Sequence, residues 1–164
     1  NMAPFSTSDR IRPGFNRRSR EISKVTAEAL ESIVMVDMFP RSKIRVEIEI
    51  LCAEAGTRCC GITAAAVALA DAGIPMKDML VSVAAGKING VVVLDLDKAE
   101  DNYGQADLPV GILPNSKEIA FLQMDGDLSP EEFELAMKYN MKAVDEIHKI
   151  QIDALKSKYS GGES

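Results

Sequence analysis

Apolar positions change their period several times along the chain, and each change marks an element. From Ser19, which reads as an N-cap, Ile22, Val25, Ala29, Leu30 and Ile33 recur at helical spacing until Phe39-Pro40 stops the run, predicting a helix over 20–37. Between 43 and 52 the period drops to two. Ile44, Val46, Ile48 and Ile50 share one face and Arg45, Glu47 and Glu49 the other, which predicts a strand with one wet side. Past a turn over 54–58, an alanine-rich stretch predicts a helix over 61–72, closed by Gly73 and Pro75.

Four short apolar runs then predict strands over 80–85, 90–96, 108–113 and 118–124, with Asn89-Gly90 as the hairpin turn between the first two. Asp125-Gly126 ends this run. Ser129-Pro130-Glu131-Glu132 opens a long helix with an N-cap serine, a first-turn proline and the Glu of a capping box. Phe133, Ala136, Met137, Met141, Val144, Ile147 and Leu155 fall mainly on one of its faces. Residues 1–18 lack apolar periodicity and read as a loop or extended arm, and 160–164 as a flexible tail. Interleaved helices and strands of this kind predict an α/β (α+β) sandwich, with helices packed on mixed sheets.

Composition narrows the class. A chain of 164 residues suits one domain of the usual roughly 100–200 residues, expected here over 1–159. Hydrophobic residues at 46% and charged residues at 27% describe a globular protein, and no apolar run approaches the roughly 18 residues of a membrane helix. Cys52, Cys59 and Cys60 have no CxxC spacing, and His148 is the only imidazole. A structural zinc is therefore not expected, and the expected compartment is a reducing cytoplasm. No signal-peptide pattern opens the chain, and its first residue is Asn1 rather than Met, so the natural protein can extend beyond it. A net charge of -6 argues against coating nucleic acid with overall positive charge, yet Arg10, Arg12, Arg17, Arg18 and Arg20 gather early and offer a local basic patch.

Two stretches carry candidate chemistry. Asp95 to Asp107 holds Asp95, Asp97, Glu100, Asp101 and Asp107 between apolar runs. They form either a solvated acidic turn or a place where carboxylates meet a cation or a labile proton. Asp101 and Asp107 could divide roles, one ionised and one raised in pKa to deliver a proton, and Asp107 stands against the apolar run Leu108-Pro109-Val110 where burial acts. Gly56-Thr57-Arg58 lies between a predicted strand and a helix start. It reads either as a plain turn with a surface arginine or as an anion grip of backbone N–H groups, a hydroxyl and a guanidinium fork. Arg17-Arg18 places positive charge at the positive end of a helix dipole, which suggests an anion nearby or two solvated side chains. His148 finds no acid-base partner in the sequence, and the cysteines read as packing residues.

With these pieces in order the chain resembles the ribonuclease PH family, and within it the catalytic, ribonuclease-PH-like subunit of archaeal exosomes. The resemblance rests on Asn1-Met2-Ala3-Pro4-Phe5-Ser6, Arg17-Arg18-Ser19, Phe39-Pro40-Arg41, Ala55-Gly56-Thr57-Arg58, the run from Ala68 to Met76, and Leu94-Asp95-Leu96 through Glu100-Asp101 to Ala106-Asp107. It implies a ribonuclease PH-like (ribosomal protein S5 domain 2-like) fold whose family has further strands before the first residue here.

The implied activity is phosphorolysis. Inorganic phosphate, as co-substrate, attacks the last linkage of a single-stranded RNA 3′ end and releases a nucleoside diphosphate; the reverse reaction adds tails. By motif, Gly56, Thr57, Arg58 and Arg18 would hold phosphate, and Arg17 and Arg18 would contact RNA. Asp101 and Asp107 would be catalytic, with Asp107 the proton donor. A divalent ion such as Mg²⁺ is left open, with Asp101 its candidate ligand. Implied partners are a related inactive ribonuclease-PH-like subunit in a hexameric ring and an RNA-binding cap subunit, with no membrane. Two other readings compete. A structural ring subunit without catalysis is disfavoured by the presence of both aspartates, and a stand-alone ribonuclease PH trimming transfer RNA 3′ ends by the wording Glu100-Asp101-Asn102-Tyr103-Gly104.

Overall fold

The computed structural model describes residues 1–8, 14 and 16–160. Arg10, Arg12 and, apart from Ser160, the expected tail lie outside the described residues. Helix α1 is Arg17–Ile33, starting earlier than its apolar spacing predicts because Asn16 is the cap. Asn16 Oδ1 accepts from Ser19 N at 2.8 Å while Asn16 N donates to Ser19 Oγ at 2.8 Å, so Ser19 is the far member of a capping box. The helix ends at Ile33 because Val34 turns extended and Met35 N donates to Pro75 O at 3.0 Å. Only a 3₁₀ turn, Val36–Met38, follows.

The alternating stretch 43–52 does not form the predicted strand. A strand exists through its neighbour's hydrogen bonds. Here the pairing comes from residues 1–3: Ile50 N donates to Asn1 O and Ala3 N to Ile50 O, both at 2.9 Å. Ile44 and Val46 accordingly stay 37% and 38% exposed.

Helix α2 (Thr57–Asp71) is followed by the hairpin β1 (Val81–Ile88) and β2 (Val91–Leu94). Asn89 and Gly90 both have positive φ, 50° and 76°, the geometry that a two-residue hairpin turn requires. A short helix α3 (Lys98–Tyr103) occupies the acidic stretch, and β3 (Ala106–Ile112), β4 (Ile119–Leu122), β5 (Asp125–Gly126) and α4 (Pro130–Ser160) complete the chain. The strands form one antiparallel sheet of order β2-β1-β3-β4, with β5 also on β3. Ser129 caps α4 as its sequence predicts: Glu132 N donates to Ser129 Oγ at 3.2 Å, and Glu132 Oε2 accepts from Ser129 N at 2.8 Å. No helix among the described residues is long and apolar enough to cross a membrane.

Side-chain alternation along the strands splits the core in two. Val81, Val83 and Ala85 of β1 and Leu108, Val110 and Ile112 of β3 pack with Ala136, Ala143 and Val144 of α4. The other cluster joins Ala29, Leu30 and Ile33 of α1 to Ile62, Ala65, Ala66 and Leu69 of α2. Helix α2 is fixed to β1 by Thr63 Oγ1, which donates to Ser82 O at 3.1 Å and accepts from Ser82 N at 2.9 Å. Since the even-numbered residues of β3 face α4, Asp107, Pro109 and Gly111 face the α1/α2 side.

Gly86 sits directly across from Asp107 on β1. A Cβ there would meet the carbonyl oxygen of Ala106 and Cδ1 of Leu96, each at 2.5 Å. Backbone cannot yield as a flexible side chain can, so Gly86→Ala should destabilise the fold by about 1–3 kcal/mol. Urea unfolding checks this, and an unchanged midpoint would show that the strands separate there without cost.

Candidate functional site

The anion grip begins with backbone geometry. Ala55 and Gly56 have φ of 92° and 59°, and this turn starts α2 directly at Thr57, without a side-chain cap. The first intrahelical bond runs from Cys60 N to Gly56 O at 3.1 Å, so the N–H groups of Thr57, Arg58 and Cys59 precede the helical ladder. These groups and the helix dipole favour an anion at this end.

Arg58 extends from the first turn of α2. Its Nη2 donates to Glu21 Oε2 at 3.2 Å, its Nη1 donates to Gln123 Oε1, and its side chain is 20% exposed. Thr57 and Arg58 line a cleft of about 1060 Å³ that runs between α1 and the 42–50 segment, and Arg18 lines it from α1. Arg17 and Arg18 are exposed, and neither forms an ion pair among the described residues.

The acidic stretch sorts into distinct uses. Asp97 and Glu100 form the capping box of α3: Glu100 N donates to Asp97 Oδ1 and Asp97 N to Glu100 Oε2, both at 2.8 Å. The sequence Asp97-Lys98-Ala99-Glu100 carries that signature, and a short helix replaces the expected acidic turn. Asp95, with a positive φ of 59°, stands at the start of α2 instead. A Cβ on Gly56 would lie 3.8 Å from its Oδ1. Asp101 is exposed on α3.

Asp107 is the perturbed acid. Burial, then the negative charge of Asp101, push its pKa up from 3.8 to about 6, with Asp125 adding to the rise. Arg58 and a backbone hydrogen bond at Leu108 pull the other way and do not win. The register explains the setting. On one side Asp107 pairs with Asp125 of β5, and on the other it pairs with Gly86, over which Leu96 lies. Directly paired residues share a face, so a carboxylate and an apolar side chain flank Asp107 and both disfavour its ionised form.

The structure thus brings Asp101 and Arg58 each within electrostatic reach of Asp107 and sets Arg18 in the same cleft as Arg58. Glu21, Gln123 and Asp125 are further members that the sequence did not single out, and Asp95 joins them from the acidic run. Burial pushes the Cys59 thiol up to about 11, which keeps it protonated and matches a packing residue. His148 belongs to α4, on the sheet face away from Asp107. Among the described residues no group of three or more His, Cys, Asp or Glu side chains could hold a metal ion. No such group therefore surrounds Asp101, the residue considered as a divalent-ion ligand.

The chain matches known proteins along most of its length. The family description "3′ exoribonuclease family, domain 1" matches residues 1–75, and "3′ exoribonuclease family, domain 2" matches 78–143. The chain is 54% identical over 168 residues to the exosome complex component Rrp41 of Thermoplasma volcanium, covering 99% of this chain and 68% of that protein. It is 57% identical over 159 residues to the protein of the same name from Thermococcus kodakarensis, covering 97% and 64%. The chain therefore spans about two thirds of the length of these relatives. Rice (Oryza sativa) Rrp46 shares the fold, with a TM-score of 0.83 at 22% identity over 88% of this chain and 69% of that chain. Two adjoining family matches over most of the chain, and more than half of all residues shared with these relatives, make it a member of the ribonuclease PH family of 3′ exoribonucleases.

Proposed function

We propose that the chain is the catalytic, ribonuclease-PH-like subunit of an archaeal exosome, and that it shortens RNA from the 3′ end by phosphorolysis. The family description and relatives named as exosome components support the reaction class and the assembly. One observation favours catalysis over a purely structural role. Asp107 is a half-buried carboxyl that holds its proton to about pH 6, within reach of Arg58 at the start of α2.

Inorganic phosphate rests against the N–H groups at Gly56, Thr57 and Arg58, with the guanidinium groups of Arg58 and Arg18 reducing its repulsion from the RNA backbone. A phosphate oxygen attacks the phosphorus of the terminal linkage. As that bond forms, the bond from phosphorus to the 3′ oxygen of the penultimate nucleotide breaks, and Asp107 gives its proton to that oxygen. The products are a nucleoside diphosphate and an RNA one nucleotide shorter with a free 3′ hydroxyl. Burial, and then the charge of Asp101, raise the pKa of Asp107, and the arriving phosphodiester adds to the rise. Arg17, exposed at the start of α1, serves as an outer contact for RNA phosphate. Run in reverse, the same steps add tails. Residues 1–159 act as one ribonuclease-PH-like unit in a hexameric ring with a related inactive subunit and an RNA-binding cap subunit, in the cytoplasm.

In the assembled complex, Arg58→Ala should raise the phosphate KM by at least about tenfold with a smaller change in the RNA KM. An unchanged phosphate KM would return Arg58 to the reading of a plain turn with a surface arginine. Asp107→Asn should lower nucleoside diphosphate release by at least about 100-fold while RNA binding persists.

The same substitution should stabilise the fold. Below pH 3.8 the Asp107 carboxyl is protonated whether folded or unfolded, but between 3.8 and about 6 the folded chain keeps a proton that the unfolded chain has released. Parent stability therefore falls as pH rises through that window, and asparagine carries no such cost. At about pH 8 the variant should be more stable by on the order of 1–3 kcal/mol, a gain that vanishes below about pH 4. Thermal unfolding at the two pH values checks this, and a variant less stable at both would contradict the strained acid.

A further inference from the structure

Arg58 is held in a closed ring of three hydrogen bonds. Its Nη1 donates to Gln123 Oε1, Gln123 Nε2 donates to Glu21 Oε1 at 2.9 Å, and Arg58 Nη2 donates to Glu21 Oε2 at 3.2 Å. Each member uses both ends of its polar group, and each comes from a different part of the fold: Glu21 from α1, Arg58 from α2, and Gln123 from the residue after β4. The backbone of Gln123 is also anchored, its N–H donating to Pro109 O at 3.0 Å.

We propose that Glu21 and Gln123 are positioning residues for the phosphate co-substrate, holding the Arg58 guanidinium in its binding orientation before phosphate arrives. This rests on the reading of Arg58 as the arginine that takes phosphate. A guanidinium has five N–H donors. The ring uses two, one on each terminal nitrogen, and the remaining three stay available to an anion. A free arginine loses side-chain rotamer freedom when it grips a ligand. In the ring that loss has already been incurred on folding, so a larger part of the interaction appears as phosphate affinity. Because α1 also carries Arg18 one helical turn before Glu21, the ring also ties the helix that bears Arg18 to the start of α2.

The chemistry of the ring supplies its own control. Glu21→Gln places an amide donor where one of two donors, Arg58 Nη2 or Gln123 Nε2, needs an acceptor, and the ring opens. Gln123→Glu sets a second carboxylate against that of Glu21, and it opens again. With both substitutions together, a carboxylate at position 123 accepts from Arg58 Nη1 and from the amide at position 21. That amide's oxygen in turn accepts from Arg58 Nη2. All three bonds and the net charge of the ring return.

The test measures phosphate KM, RNA KM and Tm, with and without inorganic phosphate, for the parent and these three variants in the assembled complex. Each single substitution should raise the phosphate KM about tenfold and leave the RNA KM within about twofold, and the double substitution should return the phosphate KM to within about threefold of the parent. A ring that only docks α1 would lower Tm without changing the phosphate KM, and a Glu21 that merely competes with phosphate would give Glu21→Gln a lower phosphate KM. Either result overturns the proposal, as does a folded double variant whose phosphate KM stays raised. If one single variant is too unstable to assay, the other single variant and the double variant decide together. If the parent complex releases no nucleoside diphosphate, the reading of function fails. The rise in Tm given by inorganic phosphate across the same variants then decides the ring by itself.

Discussion

The register of β3 is the constraint on which the site depends. Its period of two sends Leu108, Val110 and Ile112 into the core against α4, and so turns Asp107 toward α1 and α2. A slip of one residue would bury the carboxyl against α4 and lift three aliphatic side chains out of the core. Pairing with β1 along the strand's whole length, and with β4 and β5 beyond it, guards against that slip. The large burial on one face therefore enforces the chemistry on the other, at a position where an ionised acid would not settle of its own accord.

Charge is distributed around that acid with opposite tendencies. Burial, to which Leu96 over Gly86 adds an apolar cover, and then Asp101 and Asp125 favour a protonated Asp107, while Arg58 favours the anion and loses. Arg58 is also engaged with Glu21 and Gln123. A guanidinium whose charge is shared in this way attracts a neighbouring carboxylate less than a bare one, yet it keeps donors for an incoming phosphate. The raised pKa of the acid and the free donors of the guanidinium thus lie side by side, and α2, which carries Arg58, is anchored through Thr63 and Ser82 to the sheet that carries Asp107.

Much of this was legible along the chain wherever the determinant is local. Asn89-Gly90, the box at Ser129 and Glu132, and the apolar face of α4 are read from neighbours a few residues apart. The start of α1 was misplaced because Asn16 and Ser19 both suit a cap, and only their mutual bonds show which one leads. The stretch 43–52 has the alternation of a strand, but pairing is a property of two segments, and residues 1–3 supply only a bridge and a few bonds. In the site, Gly56, Thr57, Arg58, Asp101 and Asp107 drew notice as residue types at suggestive spacings. Glu21 and Gln123 gave no such signal, because each looks like an ordinary polar residue until tertiary packing brings it to Arg58. Asp95 differs only in that it stood within a conspicuous acidic run, where nothing in the spacing separated it from its neighbours.

The central claim is that inorganic phosphate, not water, takes the terminal nucleotide from RNA at this site. The most direct measurement supplies radiolabelled orthophosphate and unlabelled single-stranded RNA to the assembled complex and follows where the label goes. Phosphorolysis through the site described here predicts label in the β-phosphate of nucleoside diphosphates, in proportion to the nucleotides released, and loss of that incorporation with Asp107→Asn. Release of unlabelled nucleoside monophosphates, at a rate indifferent to phosphate, would contradict it.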